Sequence, residues 1–411
     1  MSTLAPLGVR SSTAAPDSVR SSTAAAPPLW IFSARADLLL FTLPALFALA
    51  VVALSPQAHA GESPEWVWWM GVLLVDVAHV WSTSFLTYFD RTELSRYPAR
   101  YALVPALGWV GGVVLYALGG ATSFWRCLAY LAVFHFVRQQ YGWLALYRAR
   151  EKDPSRLGAA IDGAAIYAAT LYPLLYWHAH LPRRFHWFLP GDFLPGLPAL
   201  VARLALAPYL LCLGAYVLRA LWQWRSGRCV AWGKHLLLAG TAATWYVGIV
   251  ASNGDYAFTL CNVLVHGIPY AALVFSYGRH VAAAQPQPRP SLAARLLGGS
   301  PAAALPRFLG CLWLLALLEE LLWDRGVWHE RPELFGSSLE LSDWHVWLVP
   351  LLALPQISHY LLDGLLWRRG RNPELRRWLL ALPGATHGSH TPPTRNPPRR
   401  YQASGRAELP K

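Results

Sequence analysis

Charge is what this sequence has least of. Only 14% of its 411 residues are Asp, Glu, Lys or Arg, against about 25% in an ordinary soluble domain. Over half of the chain, 55%, is apolar, and the mean hydropathy is +0.30. A water-soluble globule is thereby excluded and a membrane protein is expected. Cysteine is scarce as well: Cys127, Cys212, Cys229, Cys261 and Cys311 form no CxxC pair and fall mostly inside apolar runs. A disulfide framework and a zinc ribbon are excluded, which leaves these residues as small apolar core positions. No repeat of solenoid period is visible. The N-terminus lacks the apolar core of a signal peptide, so the first apolar run is expected to be a retained helix.

What the chain does have is long apolar runs. Ten of them lie near 37–54, 66–88, 102–121, 124–148, 159–178, 200–224, 235–252, 256–278, 304–324 and 344–368. Roughly 18 to 25 residues suffice to cross a hydrocarbon core; Gly and Ala dilute the third, fifth and seventh runs. The 35 basic against 22 acidic residues give a net charge of +13, and the basic residues favour alternate loops, as the positive-inside rule requires. Arg91, Arg96, Arg100, Arg150, Lys152, Arg156, Arg225, Arg228, Lys234, Arg279, Arg289 and Arg295 fall on one side, with a basic tail from Arg368. Arg183, Arg184, Arg325 and Arg331 fall on the other. The expected fold is therefore an all-α, polytopic helix bundle of about ten spans in the cell (inner) membrane, with both termini inside. The excess positive charge is a topology signal and implies no nucleic-acid partner.

Residues 1–29 are rich in Ala, Ser, Thr and Pro, with VRSSTAA at 9–15 and again at 19–25; such a segment cannot bury a core and is expected to be disordered. The same holds for the tail 383–411, which leaves 30–382 as one transmembrane helical domain. Residues 373–382 are expected to form a short amphipathic helix on the inner surface. Many of the 21 tryptophans, such as Trp66 and Trp344, fall at the ends of runs and read as interface belts.

Four histidines are set well inside different apolar runs: His79, His135, His266 and His359. An ionisable side chain at membrane depth is costly and marks a candidate functional site. Each has a polar neighbour on its own helical face: Asp76 three before His79, Gln139 four after His135, Asn262 four before His266 and Asp363 four after His359. In the ten-span arrangement all four helices run from outside to inside. The histidines lie 9, 13, 12 and 9 residues above the inner ends at 88, 148, 278 and 368, a spread of roughly 6 Å along a helix. A shared depth implies one site.

Neutral imidazole suits iron, copper, zinc and nickel, and neighbouring carboxylates or amides orient such ligands. Nitrogen donors without an evident thiolate, inside an apolar bundle, favour Fe(II) chemistry on a hydrophobic small molecule or lipid, with copper or zinc as runners-up. Asp76, Gln139 and Asp363 are the candidate catalytic or orienting partners. The simpler alternative is that each histidine hydrogen-bonds a neighbouring helix. Asp162, Glu319 and Glu320 lie near span ends and are expected to be solvated, and His178, His180 and His186 are read as loop residues. Arg138 is placed to balance Asp76 or Asp363, or to hold an anionic group of a substrate.

The order of these boxes resembles the Brp/Blh family of membrane carotene dioxygenases. That family's PHGxxD box would fall on AHVWST around His79 and its HFGxxD box on HFVRQQ, carrying His135 and Phe136. Its lone histidine would fall on VHGIPY at His266, and its PHxxxxD box on SHYLLD with His359 and Asp363. The resemblance implies one non-haem iron on the four histidines and oxidative cleavage of a conjugated double bond. This sequence departs from the pattern in three boxes: no Asp follows His79 at the box spacing, Gln140 replaces the second Asp, and Asp363 is one residue nearer its histidine. The HxxHH clusters of membrane desaturases and hydroxylases match less well, since no HH pair occurs. The expectation is a membrane oxygenase acting on a lipid or isoprenoid. The alternatives are a proton- or ion-coupled transporter, with Pro269 and Pro355 near the histidines to interrupt helices, and a scaffold without chemistry.

Overall fold

The computed structural model describes residues 29–367, except 152 and 285–288, together with 372, 375, 377 and 378. The segments expected to be disordered, 1–29 and 383–411, lie outside the described residues save for Leu29, as does most of 373–382. Every regular element among the described residues is helical.

The principal helices are α1 (Ala34–Leu54), α2 (Glu65–Leu86), α3 (Pro98–Glu151), α4 (Arg156–Ala179), α5 (Ala199–Arg225), α6 (Trp232–Trp245), α7 (Asp255–Ala284), α8 (Pro301–Trp328), α9 (His345–Leu352) and α10 (Leu354–Leu366). Local chemistry sets their ends. The Ser33, Ser155 and Ser300 side chains accept backbone N–H bonds at the starts of α1, α4 and α8, satisfying donors that a helix leaves without partners. Pro98 opens α3, where its missing N–H costs nothing.

Seven of these helices, α1 to α5, α7 and α8, are long and apolar enough to cross a membrane, which is compatible with a multi-pass membrane protein. The other expected spans take different forms. Helix α3 is 54 residues long and holds two expected runs, 102–121 and 124–148; they part at Gly120, whose φ of 73° and ψ of 175° are not helical. Only glycine adopts that backbone without strain. The run at 235–252 consists of α6 and a π-helical stretch, Tyr246–Ala251. The run at 344–368 is broken at Ala353 into α9 and α10, with Pro350 before the break and Pro355 after it. Pro269, by contrast, lies within an uninterrupted α7.

Helix α7 occupies the centre. In its most apolar stretch 72% of the residues are buried, against 17% in α5. It packs on α1, α2 and the end of α6, while α10 lies along α3 and α2. Leu204, Leu211 and Leu218 form an exposed stripe along α5, as a helix facing lipid requires.

Three side-chain expectations change. Only Cys261 is buried, whereas Cys127 and Cys229 are exposed and all five thiols are free. Asp162 is not solvated: it is fully buried and bonded by Arg148, by Arg219 Nη1 at 3.0 Å and by Lys234 Nζ at 3.2 Å. Lys234, expected in a loop, is buried too and also reaches Glu151 at 2.6 Å, while Arg219 pairs with Asp153. Three cations and three carboxylates thus balance where α3, α4, α5 and α6 meet. Trp66 and Trp344 are exposed as expected of an interface belt, but Trp143, Trp177 and Trp245 belong to the core.

Candidate metal centre

His79, His135, His266 and His359, brought in by α2, α3, α7 and α10, are all buried. Each offers one nitrogen, and the four atoms all lie within 4.8 Å of one another. The Nε2 atoms of His79 and His266 are 3.0 Å apart. His135 lies edge-on to His359 and to His266, at ring-centroid distances of 4.6 and 5.2 Å. Around an ion with metal–nitrogen bonds of about 2.0–2.1 Å, neighbouring donors at right angles would be about 3 Å apart and opposed donors about 4 Å. The 3.0 Å pair matches neighbouring donors, and the outer limit of 4.8 Å is within about 1 Å of opposed ones. Nε2 of His135 and Nε2 of His359 are buried without a hydrogen-bond partner, an arrangement that costs energy unless something else engages those atoms. The donor set and its orphaned nitrogens fit a first-row transition metal.

The approach of α7 to α2 has a local cause. A Cβ on Gly267 would lie 2.7 Å from Val75 Cγ1, 3.1 Å from the Val75 carbonyl oxygen and 3.4 Å from His79 Nδ1. Glycine there lets the helices close until His79 and His266 meet. Just before His79, residues Trp68–Val77 of α2 form a π-helical stretch, a wider turn often found at functional sites. The ring of Phe136 stacks on His266 with centroids 3.4 Å apart and an interplanar angle of 8°, fixing that imidazole in orientation.

Behind the histidines lies a polar chain. His359 Nδ1 and Thr83 Oγ1 are 2.7 Å apart, and Thr83 Oγ1 is 2.8 Å from the Tyr270 hydroxyl and 3.3 Å from Asp363 Oδ1. The Tyr270 hydroxyl also donates to Asp363 Oδ1. With Asp363 accepting from Tyr270 and Thr83, the Thr83 oxygen accepts from His359 Nδ1–H. That tautomer turns the lone pair of Nε2 towards the other histidines. Asp363 Oδ2 is 4.0 Å from His135 Nε2, and Asp76 Oδ1 stands 3.6 Å from His79 Nδ1. Gln139 hydrogen-bonds no imidazole: its amide donates to the backbone carbonyl of His266 at 3.1 Å, linking α3 to α7. Asn262 is bonded to the Phe258 carbonyl of its own helix.

Two residues of this chain, Thr83 and Tyr270, are absent from the sequence-based site. Both stand four after a cluster histidine, Thr83 after His79 and Tyr270 after His266, so the helical spacing that singles out Asp363 marks them as well. Arg138 forms no ion pair with Asp76 or Asp363. It is exposed, bonds the Tyr167 hydroxyl and lies over the Tyr141 ring, 5.1 Å from the centroid. Gln140, at the position of the missing box carboxylate, is turned away to accept from Thr241 at 3.0 Å. Glu319, expected to be solvated, is buried and accepts from Trp81 Nε1 at 2.6 Å and Trp323 Nε1 at 3.4 Å. His178 and His180 sit at the end of α4 and bond the carbonyls of Leu174 and Tyr176, each at 2.7 Å.

An apolar cleft of about 230 Å³ reaches this centre between α2, α3 and α10. Val80, Pro105, Leu354 and Leu362 supply its walls, and His359 and Thr83 also line it. Compared with models of protein families, with curated proteins and with solved structures, the chain matches none.

Proposed function

We propose that this protein is an integral-membrane oxygenase that holds one non-haem iron on His79, His135, His266 and His359 and oxidises a lipid or isoprenoid. The observation that carries this reading is the pair of buried, partnerless Nε2 atoms on His135 and His359, beside the His79 and His266 nitrogens 3.0 Å apart. Four histidines that merely tie helices together would each spend their nitrogens on protein partners. Bound there, iron supplies dioxygen chemistry, which in the carotene dioxygenases that the sequence resembles divides a conjugated double bond into two carbonyl groups.

The protein's own residues do the rest. Thr83, Tyr270 and Asp363 hold His359 in one tautomer and one ring orientation, Asp76 stands by for His79, and Phe136 fixes the His266 plane. The apolar cleft admits a hydrophobic chain as far as His359. The distant likeness to the Brp/Blh family makes a polyene a natural first substrate. The ten-span arrangement in the cell (inner) membrane with both termini inside belongs to the same proposal; the Gly120 break within α3 supports counting that helix as two spans.

The break between α9 and α10 at Ala353, six residues before His359 in the chain, favours a second reading. Discontinuous helices at mid-bundle occur in secondary transporters, where the histidines and Asp363 would relay protons or ions. Metal content separates the two readings. Detergent-purified protein should hold near-stoichiometric iron that is lost in His135→Ala and in His359→Ala. Iron-free protein, after expression with iron supplied, would overturn the oxygenase reading and leave the transporter.

A further inference from the structure

His266 is held differently from His359. Nδ1 of His359 meets the Thr83 hydroxyl at 2.7 Å, whereas Nδ1 of His266 is buried and has no hydrogen-bond partner. A metal-binding imidazole is ordinarily oriented by a polar partner on its second nitrogen. At His266 a ring takes that place: Phe136 stacks on it with centroids 3.4 Å apart. Phe136 is backed in turn by Trp187, with ring centroids 4.8 Å apart and planes at 83°, an edge-on geometry in which aromatic pairs attract.

Trp187 comes from no helix. It belongs to the loop that joins α4 to α5. Its ring lies 5.7 Å from that of Phe258 in the first turn of α7, and Phe258 and His266 are about 12 Å apart along that helix. Trp187 and Phe136 together span the interval. Loop backbone inside a membrane bundle is tolerated only where protein surrounds it and satisfies its polar groups. Here the buried Asp192 accepts the N–H groups of Trp187, Phe188 and Leu189 at 2.8, 2.7 and 3.4 Å. From α3, Arg126 donates to the Gly191 carbonyl at 2.9 Å, and the Tyr130 hydroxyl accepts the Leu194 N–H at 3.2 Å. At the start of the loop, Arg183 donates to Asn253 Oδ1 at 2.8 Å and to the Ile249 carbonyl at 3.0 Å. A loop pinned at so many points delivers its indole to one fixed place.

Resting on the reading of the four histidines as a metal centre, we infer that Trp187 is a positioning residue of that centre. It seats Phe136, Phe136 sets the plane of His266, and the stack supplies the orientation that Thr83 supplies to His359. Among the described residues the ring contacts of Trp187 are with Phe136, Trp177, Phe193 and Phe258, so its effect on the histidines passes through Phe136. The loop between α4 and α5 is thereby coupled to the donor geometry. Releasing it turns His266 and weakens the metal while all four ligands remain.

The test uses the full chain in detergent, stripped of metal and titrated with Co(II), whose visible absorption reports donor geometry. Trp187→Leu keeps apolar bulk and removes the ring. It should shift the Co(II) bands and weaken Co(II) about tenfold, the low end for loss of a residue that orients a ligand. Trp187→Phe should restore both. Asp192→Ala, which frees the loop and alters no ring, should reproduce the shift by a separate route. Phe185→Leu is the control: its ring contacts are with Trp177 and Phe258, so it should lower the melting temperature and leave the Co(II) bands in place. The wild-type spectrum and affinity in both Trp187→Leu and Asp192→Ala would overturn the inference, as would a shift of equal size in Phe185→Leu. A readout without metal separates it from the reading beneath it. In metal-free protein, diethyl pyrocarbonate should modify His266 faster in Trp187→Leu than in wild type, with His79 unchanged. Wild type that binds no Co(II) while His266 is unmasked in this way removes the metal reading alone; a Co(II)-binding protein whose His266 stays as protected in Trp187→Leu as in wild type removes this inference alone.

Discussion

His79 and His266 face each other across the crossing of α2 and α7 with their Nε2 atoms 3.0 Å apart, and Gly267 is what permits the crossing to be that close. The Gly267→Ala variant should therefore be a sharp probe. Its methyl group would meet Val75 Cγ1 at 2.7 Å and push the helices apart, although alanine improves intrinsic helix propensity by about 1 kcal/mol. Helix content by circular dichroism should be unchanged, and metal affinity should fall at least about tenfold. Unchanged metal affinity in this variant would mean that the helix spacing does not set the histidine geometry.

The Thr83–Tyr270–Asp363 chain gives a second expectation. Removing a hydrogen-bond partner of a metal-binding histidine commonly costs about 10–100-fold in affinity. Thr83→Val and Tyr270→Phe should each weaken metal binding in that range, as measured by competition with a coloured chelator. Thr83→Ser, which keeps the hydroxyl, should restore it. A Thr83→Val variant that binds metal like wild type would show that His359 does not depend on its Nδ1 partner.

Metal removal should lower thermal stability by mass action, because the histidines converge only in the folded state. Binding at about a hundred times the dissociation constant stabilises by about 2.7 kcal/mol. In detergent, followed by tryptophan fluorescence, chelator should lower the melting temperature of wild type and leave His135→Ala unmoved. A chelator effect of equal size in both would trace it to some other site.

Much of this was legible in the sequence, and the pattern of what was missed is physical. The four histidines were visible because a buried imidazole in an apolar run is expensive, so its presence is informative. Asp363 and Asp76 followed from helical spacing. Thr83 and Tyr270 obey the same spacing but carry no charge, and a hydroxyl in a membrane helix is too common to stand out. Arg138 adjoins Gln139 in sequence but lies about a 100° turn from it on the helix, which points it outward to Tyr167. The burial of Asp162 leaves no local trace in the sequence, because its partners, Arg148, Arg219 and Lys234, come from three other helices. The broken run at 344–368 was foreshadowed by Pro355, whereas Pro269 showed that a proline alone does not decide a break.

The Asp162 network also yields the last prediction. Arg148, Arg219 and Lys234 converge on one fully buried carboxylate. Breaking a buried ion pair by removing one partner costs about 3–5 kcal/mol, because the remaining charge is left uncompensated. Asp162→Asn preserves the shape and removes the charge, leaving three cations against Glu151 and Asp153. It should lower the melting temperature and the yield of monodisperse protein, while the folded fraction keeps its metal, since none of these residues touches the histidines. Lys234→Met in the Asp162→Asn background removes one of the surplus charges and should recover part of the loss. An Asp162→Asn protein as stable as wild type, or one made worse by Lys234→Met, would show that the packing of α4 against α5 and α6, and not charge balance, holds this end of the bundle together.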